Sequence, residues 1–174
     1  MTDPNAYERR LLSLARAAPV VSDGVHACDR LNYLLGAAPV EVSGWSVRSA
    51  SEFDSPNING GILTYADGTV ARVEVVWLVA VLPSSQFVVT GPLGRAVLDP
   101  PTFDLDVRYA DGRHEHLEPP GDKTEVCFDL QLRAFLDHVI AGTAPVPGLT
   151  EAIASLELAE RIALAGNSVP RVAA

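Results

Sequence analysis

The sequence predicts an α+β fold with a large, predominantly antiparallel open sheet of about six or seven strands and helices packed on one face. Helical periodicity is confined to residues 1–36 and 124–166, whereas alternating apolar residues and tight-turn signals fill residues 39–118. A block of strands between two blocks of helices is typical of α+β domains. The length of 174 residues suits one globular domain, so residues 1–174 are predicted to form a single domain.

The N-terminal block predicts two helices. Residues 1–19 form the first, because Asp3 is a suitable N-cap followed by proline at the first helical position, and Pro19 ends it. Residues 20–36 form the second, for which Ser22 is the predicted N-cap.

The second predicted helix has one apolar side and one polar side. The polar side carries side chains that can titrate or bind a ligand, namely His26, Asp29, Arg30 and Tyr33, with Asp23 at its edge. Such a stripe is either a solvated face or one wall of a polar cleft. Cys28 lies on the apolar side and is expected to be buried and inert.

Residues 39–118 predict strands joined by short turns. The tetrapeptide Tyr-Ala-Asp-Gly occurs at residues 65–68 and again at 109–112, and Asp-Gly between apolar runs is a strong hairpin signal. We interpret it as one turn chemistry used twice, not as a structural repeat, because the flanking sequences do not match. Residues 91–94 predict a third tight turn, and Gly44 predicts a β-bulge in the first strand.

The C-terminal block, residues 124–166, predicts two more helices. An apolar stripe from Phe128 to Ile140 marks the first of them, which Gly142 ends. Thr150 is the predicted cap of the last helix. The predicted buried side of the last helix consists of Ile153, Leu156, Ala159, Ala163 and Leu164.

Composition and charge exclude several classes of partner. Lys and Arg total 13 and Asp and Glu total 22, so the net charge is −9, and no basic block is present to bind nucleic acid or an anionic membrane. The most apolar stretch, residues 75–82, is far shorter than the roughly 20 residues of a membrane helix and predicts a buried strand. The charged N-terminal segment predicts no signal peptide, and two cysteines form no disulfide framework, so we expect a soluble cytoplasmic protein.

The sequence lacks the motifs of several chemistries. It contains no dinucleotide fingerprint G-x-G-x-x-G, no phosphate-binding loop ending in Gly-Lys-Ser/Thr and no G-x-S-x-G nucleophile elbow. His114 and His116 share a strand face but do not complete a zinc site, so we interpret them as solvent-facing and predict no metal site. Other candidates are interpreted as solvent-facing or sheet residues, namely Asp104, Asp106, Trp45 and Trp77.

Residues 21–36 resemble the start of the C-terminal, substrate-binding and oligomerisation domain of the glucose–fructose oxidoreductase/inositol dehydrogenase (Gfo/Idh/MocA) superfamily. That family has Asp-x-Gly-x-His-x-x-Asp here, followed by a Leu-rich helix ending in Leu-Gly. Further segments resemble the family in the same order, at residues 39–44, 62–77, 88–94, 134–142 and 148–169. The resemblance covers nearly the whole chain and implies a sheet domain like the C-terminal domain of glyceraldehyde-3-phosphate dehydrogenase.

The resemblance implies a catalytic role for His26, which matches the family's His, while Gly24 and Asp29 match the motif's Gly and trailing Asp. Ser22 stands where the family has its leading Asp, and Asp23, one residue later, projects about 100° further round a helix. A base titrating near neutral pH suits removal of a hydroxyl proton from a sugar or polyol. We therefore predict His26 and Asp23 as catalytic residues. The predicted substrate-binding residues are Ser22, Asp29, Arg30 and Tyr33.

The resemblance also implies NAD(P)-dependent chemistry, for which this chain supplies only some of the required residues. In the family, an N-terminal Rossmann domain binds NAD(P) and supplies a Lys from a Glu-Lys-Pro motif, and the sequence contains neither. We therefore expect no cofactor bound by this chain alone, and NAD(P) where a Rossmann partner exists. The expected partners are a second copy of the chain, bound through the sheet face, a separate Rossmann-domain subunit and a small polar ligand.

Three functions remain open. The first is the substrate-binding and oligomerisation domain of a Gfo/Idh/MocA-like oxidoreductase, either as a fragment or as a separate subunit. The second is a standalone non-redox protein that binds a small polar ligand or scaffolds an oligomer, which is favoured by Ser22, by the missing Lys and by a self-contained first helix after Met1. The third is a cofactor-free isomerase or lyase that uses His26 and Asp23 as acid and base.

Overall fold

A computed structural model describes most of the chain and confirms the α+β class. The residues that it describes are 18–49, 55–77, 85–100, 102–119, 121 and 123–167. Their elements, in chain order, are α1 (Pro19–Ser22), α2 (Val25–Leu35), β1 (Glu41–Val47), β2 (Ile58–Thr64), β3 (Val70–Val76), β4 (Phe87–Gly91), β5 (Gly94–Leu98), β6 (Leu105–Tyr109), β7 (His114–Leu117), α3 (Lys123–Ala141) and α4 (Leu149–Asn167). The seven described strands are all antiparallel to their neighbours, and they form two sheets, β1-β2-β3 and β4-β5-β6-β7.

The chain divides into two compact units. The three-stranded unit comprises Met1–Leu82 and Pro147–Ala174 and contains α1, α2, β1, β2, β3 and α4. The four-stranded unit comprises Pro83–Val146 and contains β4 to β7 and α3. The helix predicted at residues 1–19 lies almost wholly outside the described residues. Within the described part of the chain, no helix is long and apolar enough to cross a membrane.

The three-stranded unit has a hydrophobic core between one face of its sheet and the helices α1, α2 and α4. Alternation along β2 and β3 places Leu63 and Val73 on that face, where α4 contributes Ile162. The buried core residues are Val20, Cys28, Leu63, Tyr65, Val73, Leu158, Ala159, Ile162 and Ala163. Removing this apolar surface from water is the main stabilising contribution in the unit.

Gly44 lies in an unbroken strand pair, so the bulge predicted there is wrong. β1 and β2 pair without an extra residue in either strand, and Gly44 is opposite Gly61. A Cβ on Gly44 would lie 2.6 Å from the carbonyl oxygen of Ile162 and 2.8 Å from the amide nitrogen of Gly166. Glycine is required at this position because the backbone of α4 crosses β1 at close range.

The predicted buried side of α4 is only partly correct. Ala159 and Ala163 are buried as predicted, whereas Ile153, Leu156 and Leu164 are exposed. The residues that α4 buries are Ser155, Leu158, Ala159, Ile162, Ala163 and Gly166. The helix has apolar residues on more than one side, and the close approach to β1 selects the side on which the small residues lie.

The helix caps also differ from the predictions. α4 begins at Leu149, so Thr150 lies inside its first turn and is not the cap. The Gly148 N–H instead donates a hydrogen bond of 2.7 Å to Oε2 of Glu151, and this bond lowers the pKa of the Glu151 carboxyl. Ser22 is the last residue of α1, not the N-cap of α2, because its backbone is helical.

The two Tyr-Ala-Asp-Gly segments form the same turn, as predicted. Gly68 and Gly112 have φ values of 87° and 90°, which residues with a side chain rarely adopt. In the first turn Asp67 Oδ1 accepts a hydrogen bond from the backbone N–H two residues later, at 2.9 Å, and Asp111 Oδ1 does the same at 3.0 Å. The flanking strand pairs, β2-β3 and β6-β7, and the β4-β5 pair around residues 91–94 are confirmed.

Of the buried strand predicted at residues 75–82, the structure describes residues 75–77. β3 ends at Val76, and residues 78–82 lie outside the described part of the chain. Val75 and Val76 are half-buried, while Trp77, directly after the strand, is 3% exposed. The sheet-or-core interpretation of Trp77 is therefore confirmed.

The four-stranded sheet has one apolar and one charged face, because alternate residues of each strand point to opposite sides. The apolar sheet face carries Phe87, Val89, Ala96, Leu98, Leu105, Val107, Tyr109 and Leu117, together with Glu115. The charged sheet face carries Val88, Thr90, Arg95, Val97, Asp106, Arg108, His114 and His116. No described residue between 85 and 146 is buried, and the apolar stripe of α3 is exposed as well, from Phe128 at 67% to Ile140 at 83%.

Candidate functional site

The junction between α1 and α2 carries the residues that the sequence singles out. Asp23 and Gly24 separate the two helices, and Val20 of α1 lies directly against the glycine. A Cβ on Gly24 would lie 2.6 Å from the carbonyl oxygen of Val20, so only glycine allows α2 to begin this close to α1. His26 is the second residue of α2, and its side chain is exposed. The motif glycine therefore shapes the turn that presents His26 to solvent.

Asp23 is held by a hydrogen bond that the sequence does not reveal. Trp77 Nε1 donates to Asp23 Oδ2 at 2.6 Å, across 54 positions of sequence. The indole is buried, whereas the aspartate is exposed as a whole, so the carboxylate satisfies the indole N–H at the surface end of the ring. This bond links the α1–α2 junction to the end of β3.

Asn57 fixes the backbone of Trp77 in turn. The Asn57 side chain is completely buried and donates from Nδ2 to the Trp77 carbonyl at 2.7 Å and to Ser49 Oγ at 2.9 Å. The Trp77 N–H donates to the Asn57 carbonyl at 2.9 Å. The chain of contacts from Asn57 through Trp77 to Asp23 thus runs from the sheet to the junction. Asn57, a polar residue directly before an apolar strand, is the only sequence signal that could have indicated this chain of contacts.

Asp29 and Ser22 have different surroundings from His26. Ser155 Oγ of α4 lies 3.1 Å from Asp29 Oδ1 and 2.9 Å from the Glu151 carbonyl, and its single proton can be donated to one of them at a time. Asn32 Nδ2 donates to the same hydroxyl at 3.3 Å. Asp29 is therefore placed in the contact between α2 and α4. Ser22 is half-buried in α1.

Arg30 and Tyr33 lie on the same side of α2 as His26, four and seven residues further on. Arg30 is half-buried, and Tyr33 is 86% exposed. The structure thus brings Asp23 and His26 together at the beginning of α2, with the His26 N–H donating to the Asp23 carbonyl at 3.2 Å. It places Tyr33 about two turns away.

Cys28 belongs to the core of the three-stranded unit, as predicted. Its side chain is fully buried, and burial raises the pKa of the thiol to about 11. Burial likewise raises the pKa of Tyr65, with Cys28 as a smaller contributor. Neither group is ionised near neutral pH, so neither supplies a nucleophile to the junction.

The histidines of β7 are solvent-exposed, as predicted, but they are not isolated. His114 Nε2 lies 2.7 Å from Asp106 Oδ2, and Arg108 Nε donates to the other carboxylate oxygen at 3.1 Å. The bond to His114, and to a smaller extent the bond to Arg108, holds the pKa of Asp106 below its usual value. Among the described residues, no group of three or more His, Cys, Asp and Glu side chains is arranged to hold a metal ion.

Trp45 is a sheet-face residue, as predicted. Its ring lies against Gly60 of β2, where a Cβ would collide with it, and the Arg72 guanidinium lies 5.6 Å from the ring centroid. Arg72 also pairs with Glu74 at 2.8 Å. The open face of the three-stranded sheet is thus partly covered by its own side chains.

Two pockets among the described residues belong to the four-stranded unit, and neither is lined by a residue predicted to be catalytic or substrate-binding. A shallow, mainly apolar pocket of about 280 Å³ is found in the four-stranded unit, beside the β4–β5 turn at Pro92 and Leu93. It contains none of the residues predicted to be catalytic or substrate-binding. At the α1–α2 junction, the side chains of Asp23 and His26 are exposed.

The described residues do not fit a dinucleotide. A dinucleotide site needs a glycine-rich loop between a strand and a helix, with open backbone N–H groups for the diphosphate. The glycine at the beginning of α2, Gly24, follows another helix and is packed against Val20, so it offers no such space.

Solved structures with the same fold include two dehydrogenases of sugars or sugar derivatives and an NAD-binding oxidoreductase. Levoglucosan dehydrogenase in complex with NADH and levoglucosan has a TM-score of 0.80 and 16% identity over 98% of this chain and 56% of its own. UDP-N-acetylglucosamine 3-dehydrogenase from Acidithiobacillus ferrooxidans has a TM-score of 0.75 and 21% identity over 90% of this chain and 48% of its own. An NAD-binding oxidoreductase from Klebsiella pneumoniae has a TM-score of 0.78 and 15% identity over 95% of this chain and 54% of its own.

The chain spans about half the length of the solved structures that it matches. No protein-family model matches the sequence, and no curated protein matches it. At these identities the likeness concerns the fold. The chain has the fold of about half of each of these dehydrogenases, and the Gfo/Idh/MocA superfamily stays what the resemblance of residues 21–36 and the segments after them implies.

Proposed function

We propose that this chain is the substrate-binding and oligomerisation domain of an NAD(P)-dependent oxidoreductase that acts on a CH–OH group of a sugar or polyol. The observation that carries the proposal is the match of 98% of the chain to about half of levoglucosan dehydrogenase. The dinucleotide would be bound by a Rossmann domain, in another chain or in another part of the same polypeptide. The chain alone is then not competent for redox chemistry.

In this proposal His26 removes the hydroxyl proton of the substrate. Its imidazole is exposed at the beginning of α2, where a ligand can reach it without displacing any core residue. A positioned general base contributes a factor of about 10² to 10⁴ to such a reaction. Arg30 and Tyr33, on the same side of α2, are proposed to contact the remaining hydroxyl groups.

Asp23 is proposed to act with His26 although Ser22 stands at the family's aspartate position. Asp23 is the C-cap of α1 and keeps a helical backbone, so its side chain projects about 100° further round than that of Ser22. The hydrogen bond from Trp77 fixes one oxygen of the Asp23 carboxylate and leaves Oδ1 to a substrate hydroxyl or to the imidazole.

Ligand binding to the chain tests this proposal. A panel of sugars, inositols and acyclic polyols is titrated against the chain by isothermal titration calorimetry, with and without NAD⁺ and NADP⁺. We expect one polyhydroxy compound to bind, and His26→Ala to weaken it, while the control His138→Ala on α3 leaves it unchanged. Binding that is equal in wild type and His26→Ala would exclude the role assigned to His26.

A second function, ligand binding or scaffolding without turnover, is favoured by one observation. The Asp23 carboxylate is already engaged by Trp77, and the family's aspartate position holds Ser22, so His26 has no carboxylate dedicated to it. The two functions differ in their partners. Affinity purification of the tagged chain from its native cells, followed by mass spectrometry, recovers a stoichiometric Rossmann-domain protein in the first case and only the chain itself in the second.

The oligomer is proposed to form through the apolar sheet face of the four-stranded unit. The face carries eight apolar or aromatic residues and a single charge, and none of its side chains is buried. Val89 and Leu117 are exposed and the other six are half-buried, and contiguous apolar surface that stays accessible to solvent marks interaction sites in soluble proteins. A twofold pairing of the same face from two copies would cover it with itself.

A further inference from the structure

One row of residues across the four-stranded sheet concentrates positive charge. The register pairs Thr90 with Arg95, Arg95 with Arg108, and Arg108 with His114, so these four side chains lie side by side on the charged sheet face. Directly opposite residues of antiparallel strands have Cβ atoms about 5 Å apart, and like charges placed there destabilise the sheet. The two guanidinium groups of Arg95 and Arg108 are in this unfavourable arrangement.

The sheet supplies only one carboxylate to this row. Asp106, in the neighbouring row, accepts hydrogen bonds from Arg108 and His114 and also lies 3.9 Å from His116 Nδ1. The Asp106 carboxylate is therefore already paired with Arg108 and His114. Among the described residues Arg95 has no ion pair, and its side chain is exposed. The row therefore retains uncompensated positive charge in a chain whose net charge is −9.

A hollow of about 410 Å³ lies beside the β6–β7 turn, next to Arg108 and His114 of the row. It is lined by Arg108, Tyr109, Gly112, Arg113 and His114. Gly112 has no neighbouring atom within 4 Å of the position of a Cβ, so its backbone is open to the hollow. The hollow is large enough for one small ligand. The cations among its lining residues are paired with carboxylates, Arg108 and His114 with Asp106 and Arg113 with Asp111 at 2.9 Å.

We propose that the row formed by Thr90, Arg95, Arg108 and His114, with the adjoining hollow, is a binding site for a small ligand that carries phosphate groups. Planar guanidinium groups bind phosphate oxygens in pairs, and the threonine hydroxyl adds a donor. A small anion is favoured over a large acidic partner because the rest of the chain is acidic and repels an extended negative surface. The site does not depend on the function proposed for His26.

The proposal explains why the unfavourable Arg95–Arg108 pair is present. Binding sites retain charges that destabilise the unliganded fold, because the ligand compensates them. Replacing Arg95 is therefore expected to weaken ligand binding and, in the absence of ligand, to stabilise the sheet. A guanidinium with a purely structural role would show the opposite effect on stability.

The test uses inorganic pyrophosphate, glucose 6-phosphate and glucose as probes in isothermal titration calorimetry at low salt. Wild type is expected to bind both phosphates more tightly than glucose, and Arg95→Gln to raise the Kd of the phosphates about tenfold, the loss of one charge-assisted contact. Tighter binding of pyrophosphate assigns the site to free diphosphate, and tighter binding of glucose 6-phosphate assigns it to a phosphate ester. Arg133→Gln on α3 is the control for the loss of an exposed arginine outside the row, and Arg133 makes one helical ion pair with Asp129 at 2.7 Å.

Urea unfolding of the same variants without ligand gives the second readout. We expect Arg95→Gln to raise the midpoint and Arg133→Gln not to raise it, while Arg95→Lys keeps part of the phosphate affinity. The proposal is overturned if wild type does not bind either phosphate at millimolar concentration, or if Arg95→Gln binds as tightly as wild type. It is also overturned if Arg133→Gln loses as much affinity as Arg95→Gln.

Discussion

The three-stranded unit and the four-stranded unit are built from the same antiparallel hairpins, with the same Asp-Gly turn, but they differ in what covers their sheets. In the first, α4 lies so close to β1 that Gly44 and Gly166 are required, and Leu63 and Ile162 are fully buried. In the second, none of the described residues is buried, although its sheet has a complete apolar face. Strand pairing alone therefore does not produce a core here.

The difference shows where this fold obtains its stability. Helices that cover one face of a sheet remove apolar side chains from water, at about 25 cal/mol per Å². The apolar sheet face of the four-stranded unit has no such contribution from the described residues of its own unit. We therefore expect the three-stranded unit to determine the stability of the isolated chain and the four-stranded unit to respond mainly to partners and ligands.

The largest expected difference between the units concerns buried leucine. Leu63→Ala is expected to lower the free energy of unfolding by about 2–5 kcal/mol, because the side chain is completely buried and a cavity remains. Leu98→Ala, on the half-buried apolar sheet face, is expected to have a much smaller effect on the isolated chain. Urea unfolding followed by circular dichroism measures both. Equal losses would mean that the two sheets are equally well packed.

Glycine substitutions sharpen the same comparison. Gly44→Ala is expected to lower the free energy of unfolding by about 1–3 kcal/mol, because the added methyl group would lie 2.6 Å from the Ile162 carbonyl oxygen and force α4 away from β1. Gly91→Ala in β4 is the matched control, since no atom lies within 4 Å of its Cβ position. A neutral Gly44→Ala in thermal unfolding would contradict the close contact between α4 and β1.

A smaller effect is expected from the hydrogen bond that holds the α1–α2 junction. A double-mutant cycle with Trp77→Phe and Asp23→Ala is expected to give a coupling energy of about 0.5–1.5 kcal/mol, the net value of one such bond. The cycle of Trp45→Phe with Asp23→Ala is expected to give no coupling energy, because Trp45 lies on the face of the sheet opposite to the helices. Additive effects in both cycles would remove the link between β3 and the junction.

The smallest expected effect concerns Asp106 in the four-stranded unit. His114 and Arg108 lower the pKa of the Asp106 carboxyl in the folded chain. The ionised carboxylate therefore stabilises the fold at pH values above its unfolded pKa, and this stabilisation is lost as the pH falls through the lower pKa of the folded state. Urea midpoints of wild type and Asp106→Asn should therefore differ at about pH 5 and converge below roughly pH 3. Asp104→Asn is the control. A difference between the two urea midpoints that grows towards low pH would contradict the assigned direction of the Asp106 pKa shift.

Features that depend on neighbouring residues could be predicted from the sequence, and features that depend on distant contacts could not. The Asp-Gly turns are local, so residues 65–68 and 109–112 were assigned correctly. The buried side of α4 depends on how closely β1 approaches, and the apolar residues of the helix, such as Leu156 and Leu158, fit more than one side. The prediction of a bulge at Gly44 was wrong for the same reason, because this glycine allows a close contact with α4, which lies more than 100 residues further along the chain.

The candidate site was predictable only in its local part. The Gly24-x-His26 spacing resembles a family motif and led directly to the α1–α2 junction. The bond from Trp77 to Asp23 joins residues 54 positions apart, and the burial of Asn57 depends on the end of β3, so no local pattern reports either. The predicted roles of Asp23, His26 and Tyr33 stay predictions, to be tested by ligand binding.

The measurement that tests the central claim most directly is the mass of the intact chain in solution. Multi-angle light scattering at micromolar concentration is expected to give a dimer or a larger oligomer, and Val107→Arg on the apolar sheet face is expected to reduce it to the monomer. Val70→Arg, at an exposed position of the three-stranded sheet, is expected to leave the mass unchanged. A monomeric mass for wild type, or an oligomer that persists in Val107→Arg, would contradict the claim that a second copy covers this face.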